Sequence, residues 1–154
     1  KCGGDVPGLV SVDLFFSGMR SLPQLRIEGE LEMLKDTGCE ILPQAATTEN
    51  VRRLIAADDC RILHFSFHTS SDQSRRVFLE DNHGRAHVLT SNDFQKLLTT
   101  QGQHHIFLVF ISSCHSFTLG QLIAATGIRH VVCVRDEHWV LDSSCQIFER
   151  HFFI

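Results

Sequence analysis

The chain has 154 residues, of which 43% are hydrophobic and 21% charged, and these proportions are those of an ordinary globular domain that can bury its own core. The formal net charge is −4 with ten histidines counted as neutral, and no segment is rich in lysine and arginine, so nucleic-acid binding has no electrostatic support. No apolar run is long enough to span a bilayer, which argues against membrane insertion. We expect a single domain over residues 1–154, with neither nucleic acid nor membrane as a partner.

The cysteines and the first residues indicate a cytoplasmic setting. Six cysteines are present, but their spacing is sparse and an apolar core of this size needs no disulfides, so we expect them to be reduced and mostly buried. The first residues lack the apolar core of a signal peptide.

The last three residues, 152–154 (FFI), are apolar and would be unusual at an exposed natural terminus, so we expect a piece of a longer protein.

The first half of the chain alternates predicted strands and helices. Apolar spacing and capping residues predict, in chain order, a strand at 9–16, a helix at 23–37, a strand at 39–42, a helix at 47–57 and a strand at 61–67. A polar loop is expected from Thr69 to Arg76. This alternation is typical of an α/β domain.

The second half continues the alternation after a hairpin. The predicted elements are a hairpin over 77–89, a helix at 91–100, a strand at 106–111, a helix at 118–126, a strand at 128–134 and a helix at 142–153. Residues 106–111 (IFLVFI) form an uninterrupted apolar run, which is typical of a strand buried on both faces of a parallel sheet. The fold class is therefore α/β, with a mostly parallel central sheet and helices on both faces.

Two reactive side chains follow strands of this predicted sheet. His68 closes the third strand, and Cys114 follows the apolar strand after two serines. Ligands of open α/β sheets bind beyond the carboxyl ends of the strands, so both residues would emerge at one edge if their strands are neighbours. A thiolate beside a helix amino-terminus and opposite a histidine is the arrangement of a cysteine peptidase. The residues alone leave open that Cys114 is an ordinary buried cysteine.

Several segments resemble a known family. Residues 62–68 (ILHFSFH) and 108–116 (LVFISSCHS) resemble the caspase-like clan of cysteine peptidases, and more closely the CHAT domain, a caspase-like module found beside tetratricopeptide repeats. The resemblance extends to residues 22–31 (LPQLRIEGEL), 47–54 (TTENVRRL), 126–134 (TGIRHVVCV) and 140–153 (VLDSSCQIFERHFF). The Cys-His-Ser string also occurs around the nucleophile of metacaspases.

The resemblance implies a caspase-like three-layer sandwich with a catalytic dyad. Cys114 would attack the scissile carbonyl, and His68 would protonate the leaving amine. The oxyanion hole would use the backbone N–H groups of Cys114 and of the residue after the histidine, which is Thr69 here. No cofactor or metal is implied. The partners would be a protein or peptide substrate and regulatory repeats or other domains of the same full-length protein.

Three departures from the family pattern bear on activity. Thr69 stands where the family usually has glycine, and a threonine resists positive φ angles that glycine adopts freely. Ser112 stands where metacaspases have an acidic residue that recognises basic side chains, so a preference for Arg or Lys through that position is unsupported. The family's segment after the last helix, which often completes the substrate cleft, is missing.

Residues near the predicted edge have two interpretations each. Ser113 and His115 could tune or hydrogen-bond the thiol, or merely form the loop. Asp136 and Glu137 follow the fifth strand, where they could touch substrate or lie in an exposed loop. Trp139 could form the wall of a side-chain pocket, or be a structural tryptophan.

His64 shares a strand face with His68, four residues away. A two-histidine metal site is imaginable, but no third ligand is offered at a recognisable spacing, so a histidine satisfied inside the core is the favoured interpretation.

The sequence is consistent with two main functions. The first is a cysteine endopeptidase that uses His68 and Cys114 and is regulated by attached domains. The second is an inactive caspase-like domain that binds or scaffolds other proteins, which Thr69 favours. A flavodoxin-like nucleotide or signalling domain is a weaker option, because no Gly-rich phosphate loop follows the first strand.

Overall fold

The computed structural model describes residues 11–18, 22, 25–56, 61–72, 75–99, 106–137 and 140–153. These residues form eight strands and five helices. In chain order the elements are β1 (Ser11–Phe16), α1 (Ile27–Lys35), β2 (Glu40–Ala45), α2 (Thr48–Ala56), β3 (Ile62–Ser66), β4 (His68–Thr69), β5 (Arg76–Glu80), β6 (Ala86–Thr90), α3 (Ser91–Thr99), β7 (Leu108–Ser112), α4 (Phe117–Ala124), β8 (His130–Val132) and α5 (Asp142–Phe152).

Five strands form a parallel sheet in the order β2-β1-β3-β7-β8. The two central strands β3 and β7 pair over their full lengths, from Ile62 opposite Leu108 to Ser66 opposite Ser112. Their carboxyl ends therefore meet at one edge of the sheet, so the strands before His68 and Cys114 are neighbours, which is the condition for both side chains to emerge there. The three-stranded antiparallel sheet β4-β5-β6 adjoins that edge.

Helices cover both faces of the parallel sheet, as predicted. The odd-numbered strand residues, such as Phe15, Phe65 and Ile111, join the main hydrophobic core with residues of α2, α3 and α4. The even-numbered residues face α1 and α5, and the ring of Phe110 packs against phenylalanines of α5. Strand residues alternate between faces, so a central strand such as β7 supplies both layers and has a nearly continuous apolar sequence.

The structure corrects some predicted boundaries. Helix α1 begins at Ile27, four residues later than the predicted start at Pro23. Strand β2 is longer than predicted and continues to Ala45. Thr69, the predicted start of a polar loop, lies in strand β4 together with His68, because the backbone of β5 provides a pairing partner. The four described cysteines, Cys39, Cys114, Cys133 and Cys145, form no disulfide with one another, and they are half-buried where burial was expected. No helix in the described part of the chain has both the length and the apolar character that membrane crossing requires.

Candidate active site

The two sequence-predicted reactive residues line one cavity at the carboxyl edge of the parallel sheet. His68 lies two residues beyond β3 and Cys114 two residues beyond β7. Both contribute to the wall of a cavity of about 250 Å³. The adjacent Thr69, Ser112 and Ser113 also line it. The parallel pairing of the two strands accounts for this meeting, since it brings their last residues to the same level.

The sulfur of Cys114 lies against the backbone of Val140. The Val140 N–H points at Sγ over 3.5 Å, and Sγ lies 3.5 Å from the Val140 carbonyl oxygen. Val140 belongs to the segment that leads into α5 and also lines the cavity. Cys114 itself is half-buried. The nucleophile candidate is therefore accessible from the cavity and bounded on one side by the approach to α5.

Thr69 joins the histidine strand to the cysteine turn. Its hydroxyl donates to the Cys114 carbonyl oxygen and lies 3.1 Å from Ser113 Oγ. Among the described residues, the non-glycine residues with positive φ are Arg75 and His115. Thr69 therefore avoids the left-handed conformation that would strain a threonine at a position where the family usually has glycine. Threonine fits here because the position is an extended strand residue.

The strand pairing also fixes the direction of the Thr69 N–H group. The N–H of Ser70 bonds to the Arg76 carbonyl over 2.9 Å. Alternate residues of an antiparallel strand turn their N–H groups to opposite sides, so the Thr69 N–H faces away from β5. It is thus not consumed by the strand ladder of the small sheet.

The turn after Cys114 is tightly held. His115 has φ of 55°, a left-handed conformation that costs a non-glycine residue energy and needs support from its surroundings. Its ring Nδ1 contacts the Asp136 carbonyl oxygen. Ser116 Oγ donates to the Ser113 carbonyl over 2.7 Å and accepts the Val134 N–H at 2.9 Å. These contacts fasten the turn to the end of β8.

Asp136 lies at the amino-terminus of α4. Its carboxylate accepts the Phe117 N–H at 3.1 Å and the Thr118 hydroxyl at 2.6 Å, and it pairs with the Arg75 guanidinium. Burial acts to raise the pKa of Asp136, but the Thr118 and Phe117 hydrogen bonds and the Arg75 charge outweigh it and hold the pKa below its usual value. The residue thus caps the helix that follows the nucleophile candidate. Its contact with substrate remains a prediction.

The other predicted binding residues have different surroundings. Ser112 and Ser113 line the cavity, and His115 is buried in the turn behind it. Glu137 is exposed in the loop that follows β8. Trp139 lies outside the described residues.

The cavity residues that the sequence did not single out come from α1 and the segment before it, from the end of β3 and its next residue, and from α5 and the segment before it. They are Leu25, Arg26, Glu30, Ser66, Phe67, Val140, Cys145 and Gln146. Glu30 is the least expected, because it is a glutamate with only 5% of its surface exposed. The helical spacing of apolar residues highlights Leu34 and passes over a charged residue on the same buried face, so this pattern carries no signal for it.

Comparison with models of protein families matches residues 14–152 to the CHAT domain. The match spans β1 to the end of α5 and includes both residues of the predicted dyad. A search of curated proteins finds no match.

Proposed function

The chain belongs to the CHAT domain family, whose fold is caspase-like and related to peptidases, and from this premise we propose that it is a cysteine endopeptidase. The observation that carries the proposal is the shared cavity of His68 and Cys114 at the carboxyl ends of two paired strands. A nucleophile and a general acid must approach the same scissile bond, and a common cavity is the first requirement for that.

In the proposed reaction the Cys114 thiolate attacks the carbonyl carbon of the scissile peptide bond. The C–S bond forms while the carbonyl electrons move onto oxygen, giving a tetrahedral oxyanion. When the oxyanion collapses, the C–N bond breaks and the imidazolium of His68 donates its proton to the leaving amine. Water then attacks the thioester, His68 takes a proton from that water, and the acid product leaves with regeneration of the thiolate.

The oxyanion would be stabilised by backbone N–H groups. Those of Cys114 and Thr69 are the proposed donors, as the family pattern implies. The direction of the Thr69 N–H away from β5 supports this role, because a donor engaged in the strand ladder would be spent. The Thr69 hydroxyl, bonded to the Cys114 carbonyl, would fix the two donors relative to one another.

The substrate would be a protein or peptide, and activity would be regulated by repeats or other domains of the full-length protein. Ser112, Ser113, His115, Asp136, Glu137 and Trp139 remain proposed substrate contacts. An enzyme of this kind needs a reduced thiol, so the proposal assigns it to a reducing compartment such as the cytoplasm.

One observation favours the alternative of an inactive binding or scaffolding domain. The Val140 backbone already engages the Cys114 sulfur from both its N–H and its carbonyl group. A substrate carbonyl would have to displace this segment or pass beside it. If the Val140 segment always stays in place, the domain would keep His68 and Cys114 but would hydrolyse no peptide.

Peptide cleavage by matched variants separates the two functions. The intact chain is assayed for self-cleavage and for cleavage of a peptide library, beside Cys114→Ala, His68→Ala and Cys145→Ala. The last variant removes another thiol from the wall of the same cavity and serves as the control. We expect Cys114→Ala and His68→Ala to abolish cleavage and Cys145→Ala to retain it.

Selective alkylation provides a second test that needs no substrate. Iodoacetamide near neutral pH should label Cys114 ahead of the other thiols, and His68→Ala should slow that labelling. If no variant differs from the parent in cleavage, and Cys114 is alkylated no faster than Cys145, the endopeptidase proposal fails and the scaffolding function is favoured.

A further inference from the structure

A buried cluster of three ionisable side chains lies between the parallel sheet and its α1–α5 layer. Glu30 comes from α1, His64 from β3 and Glu149 from α5, and they are 5%, 0% and 0% exposed. His64 Nε2 lies 2.9 Å from Glu30 Oε1 and 3.7 Å from Glu149 Oε1. One ligand atom of each residue lies within 4.8 Å of the others. Three donors from three elements thus converge on one point.

The composition of this cluster suits a cation. Two carboxylates, which are negatively charged when ionised, converge on one imidazole. An excess charge in a buried site is costly unless a proton or a cation compensates it. A divalent cation with a neutral histidine balances two carboxylates completely.

The histidine itself also points to a missing partner. Neither ring nitrogen of His64 makes a hydrogen bond to any described residue, although the side chain is fully buried. Its Nε2 is close to a Glu30 oxygen, but the contact lacks the direction of an N–H···O bond. The rings of Phe110 and Phe153 pack against the imidazole with centroid distances of 4.7 and 5.8 Å and offer it no hydrogen-bonding group. Buried polar atoms are nearly always satisfied, and a metal ion would take the Nε2 lone pair.

We propose that Glu30, His64 and Glu149 form a binding site for a divalent transition-metal ion, with Zn²⁺ as the best match. One imidazole nitrogen and two carboxylate oxygens are a ligand set that Zn²⁺ accepts, with a fourth position left for water. Donors about 2.1 Å from a tetrahedral ion lie about 3.4 Å from each other, and the observed 2.9 and 3.7 Å bracket that separation. Mg²⁺ fits poorly, because it prefers six oxygen ligands.

Ser66 supplies the supporting contact that such sites usually have. Its hydroxyl donates to Glu30 Oε1, which orients the carboxylate. Ser66 and Glu30 also line the cavity of His68 and Cys114. The ion would therefore fasten α1 and α5 to β3 directly behind that cavity. The site uses neither His68 nor Cys114, so metal binding can be tested independently of peptidase activity.

Metal binding is tested in the Cys114→Ala background, which removes the thiol most able to compete for the ion. The protein is freed of metal with a chelator and titrated with Zn²⁺ by calorimetry, and its Tm is followed with rising Zn²⁺. We expect one equivalent to bind and Tm to rise with the ion concentration, because the ion binds the folded chain. Titration with Co²⁺ should give visible bands without the near-ultraviolet charge transfer of a thiolate ligand.

Three variants and a control locate the site. His64→Gln and Glu149→Gln should abolish binding, and Ser66→Ala should weaken it by about 10- to 100-fold, as loss of an outer-shell contact does. Glu32→Gln changes an exposed glutamate of α1 and should bind like the parent.

The proposal is overturned if the metal-free parent binds no Zn²⁺, or if Co²⁺ shows thiolate charge transfer. It is equally overturned if His64→Gln and Glu149→Gln bind as the parent does. In the first case protons neutralise the cluster, and in the others the ion binds elsewhere. Should a variant fail to fold, the Co²⁺ spectrum of the parent still decides.

Discussion

Removal of the Asp136 carboxylate should loosen the turn that carries the nucleophile candidate. This one residue holds the Phe117 N–H and the Thr118 hydroxyl at the start of α4, pairs with Arg75, and receives the His115 ring on its carbonyl oxygen. Asp136→Ala deletes the first three of these contacts and leaves the backbone contact in place. The substitution therefore isolates what the carboxylate contributes.

The magnitude follows from those three contacts. Loss of a helix cap costs about 1 kcal/mol, and a hydroxyl left without its partner costs about as much. The Arg75 pair is partly exposed, with 35% of the arginine side chain accessible, so it adds at most about 1 kcal/mol. We expect Asp136→Ala to lower the free energy of unfolding by about 2 to 3 kcal/mol. Asp136→Asn keeps one acceptor oxygen and should lose about half of that.

The effect should depend on pH in a definite direction. The pKa of Asp136 lies below its usual value of 3.8 in the folded chain, so the ionised form stabilises the fold. That stabilisation is fully present above the unfolded pKa and disappears as the pH falls through the folded pKa. The difference between the parent and Asp136→Asn should be constant from neutral pH down to about pH 5 and shrink below about pH 4.

Urea unfolding followed by circular dichroism measures these differences. Glu137→Gln is the matched control, since it removes a carboxylate from the exposed neighbouring position and should change stability by less than about 0.5 kcal/mol. An Asp136→Ala variant as stable as this control would refute the assignment of Asp136 as the cap that holds the turn. A difference from Asp136→Asn that persists unchanged to the lowest pH would refute its charge dependence.

The remaining predictions concern packing and the oxyanion region. Gly120→Ala should lower the free energy of unfolding in urea by about 1 to 2 kcal/mol, because the alanine β-carbon would lie 2.5 Å from Cys133 Sγ. This loss of stability should be smaller in a Cys133→Ala background, and an equal loss there would contradict the clash. Thr69→Val should leave the fold intact but reduce kcat for peptide cleavage at least about 10-fold, because the hydroxyl that bonds to the Cys114 carbonyl is lost. Thr69→Ser keeps the hydroxyl and should retain most activity, so equal cleavage rates for the two variants would exclude this role. Phe94→Ala should cost about 3 to 5 kcal/mol by leaving a cavity where two aromatic rings now meet it edge-on, and a cost below 1 kcal/mol would mean that the core collapses around it.

The parallel sheet could be predicted because its signal is local. Residues 106–111 are apolar without interruption, and such a run is typical of a strand buried on both faces of a parallel sheet. The same run marks its own carboxyl end, which is why Cys114 could be assigned to the sheet edge. The pairing of β3 with β7 was left open by the sequence and is given by the structure alone.

Strand β4 could not be predicted, because its stability comes from a partner distant in the sequence. It consists of only two polar residues, His68 and Thr69, and no period can be read from two positions. Its pairing with β5 decides that Thr69 is extended and not left-handed. The main structural objection to threonine at this position is thus answered by a contact that the sequence does not display.

Asp136 and Glu30 show a second limit of sequence reasoning. A cap is usually sought beside the helix that it serves, yet Asp136 caps α4 from a position beyond β8. A charged residue is usually assigned to the solvent face, yet Glu30 is buried, where the Ser66 hydroxyl donates to its carboxylate and His64 lies 2.9 Å from it. In both cases the deciding partner lies on another element, and apolar periodicity describes only the element itself.

Both residues also support the surroundings of the proposed dyad, since Glu30 lines the cavity and Asp136 contacts the turn after Cys114. Asp136 holds the turn after Cys114 to α4 and Arg75, while the Glu30–His64–Glu149 cluster joins α1 and α5 to the strand that leads to His68. A dyad is effective only when its two side chains are held in the right geometry relative to each other. Cleavage should therefore fall in Asp136→Ala even at temperatures where the chain remains folded, with kcat reduced more than KM rises. A variant that is destabilised yet cleaves at the parental rate would show that the turn can relax without moving the sulfur.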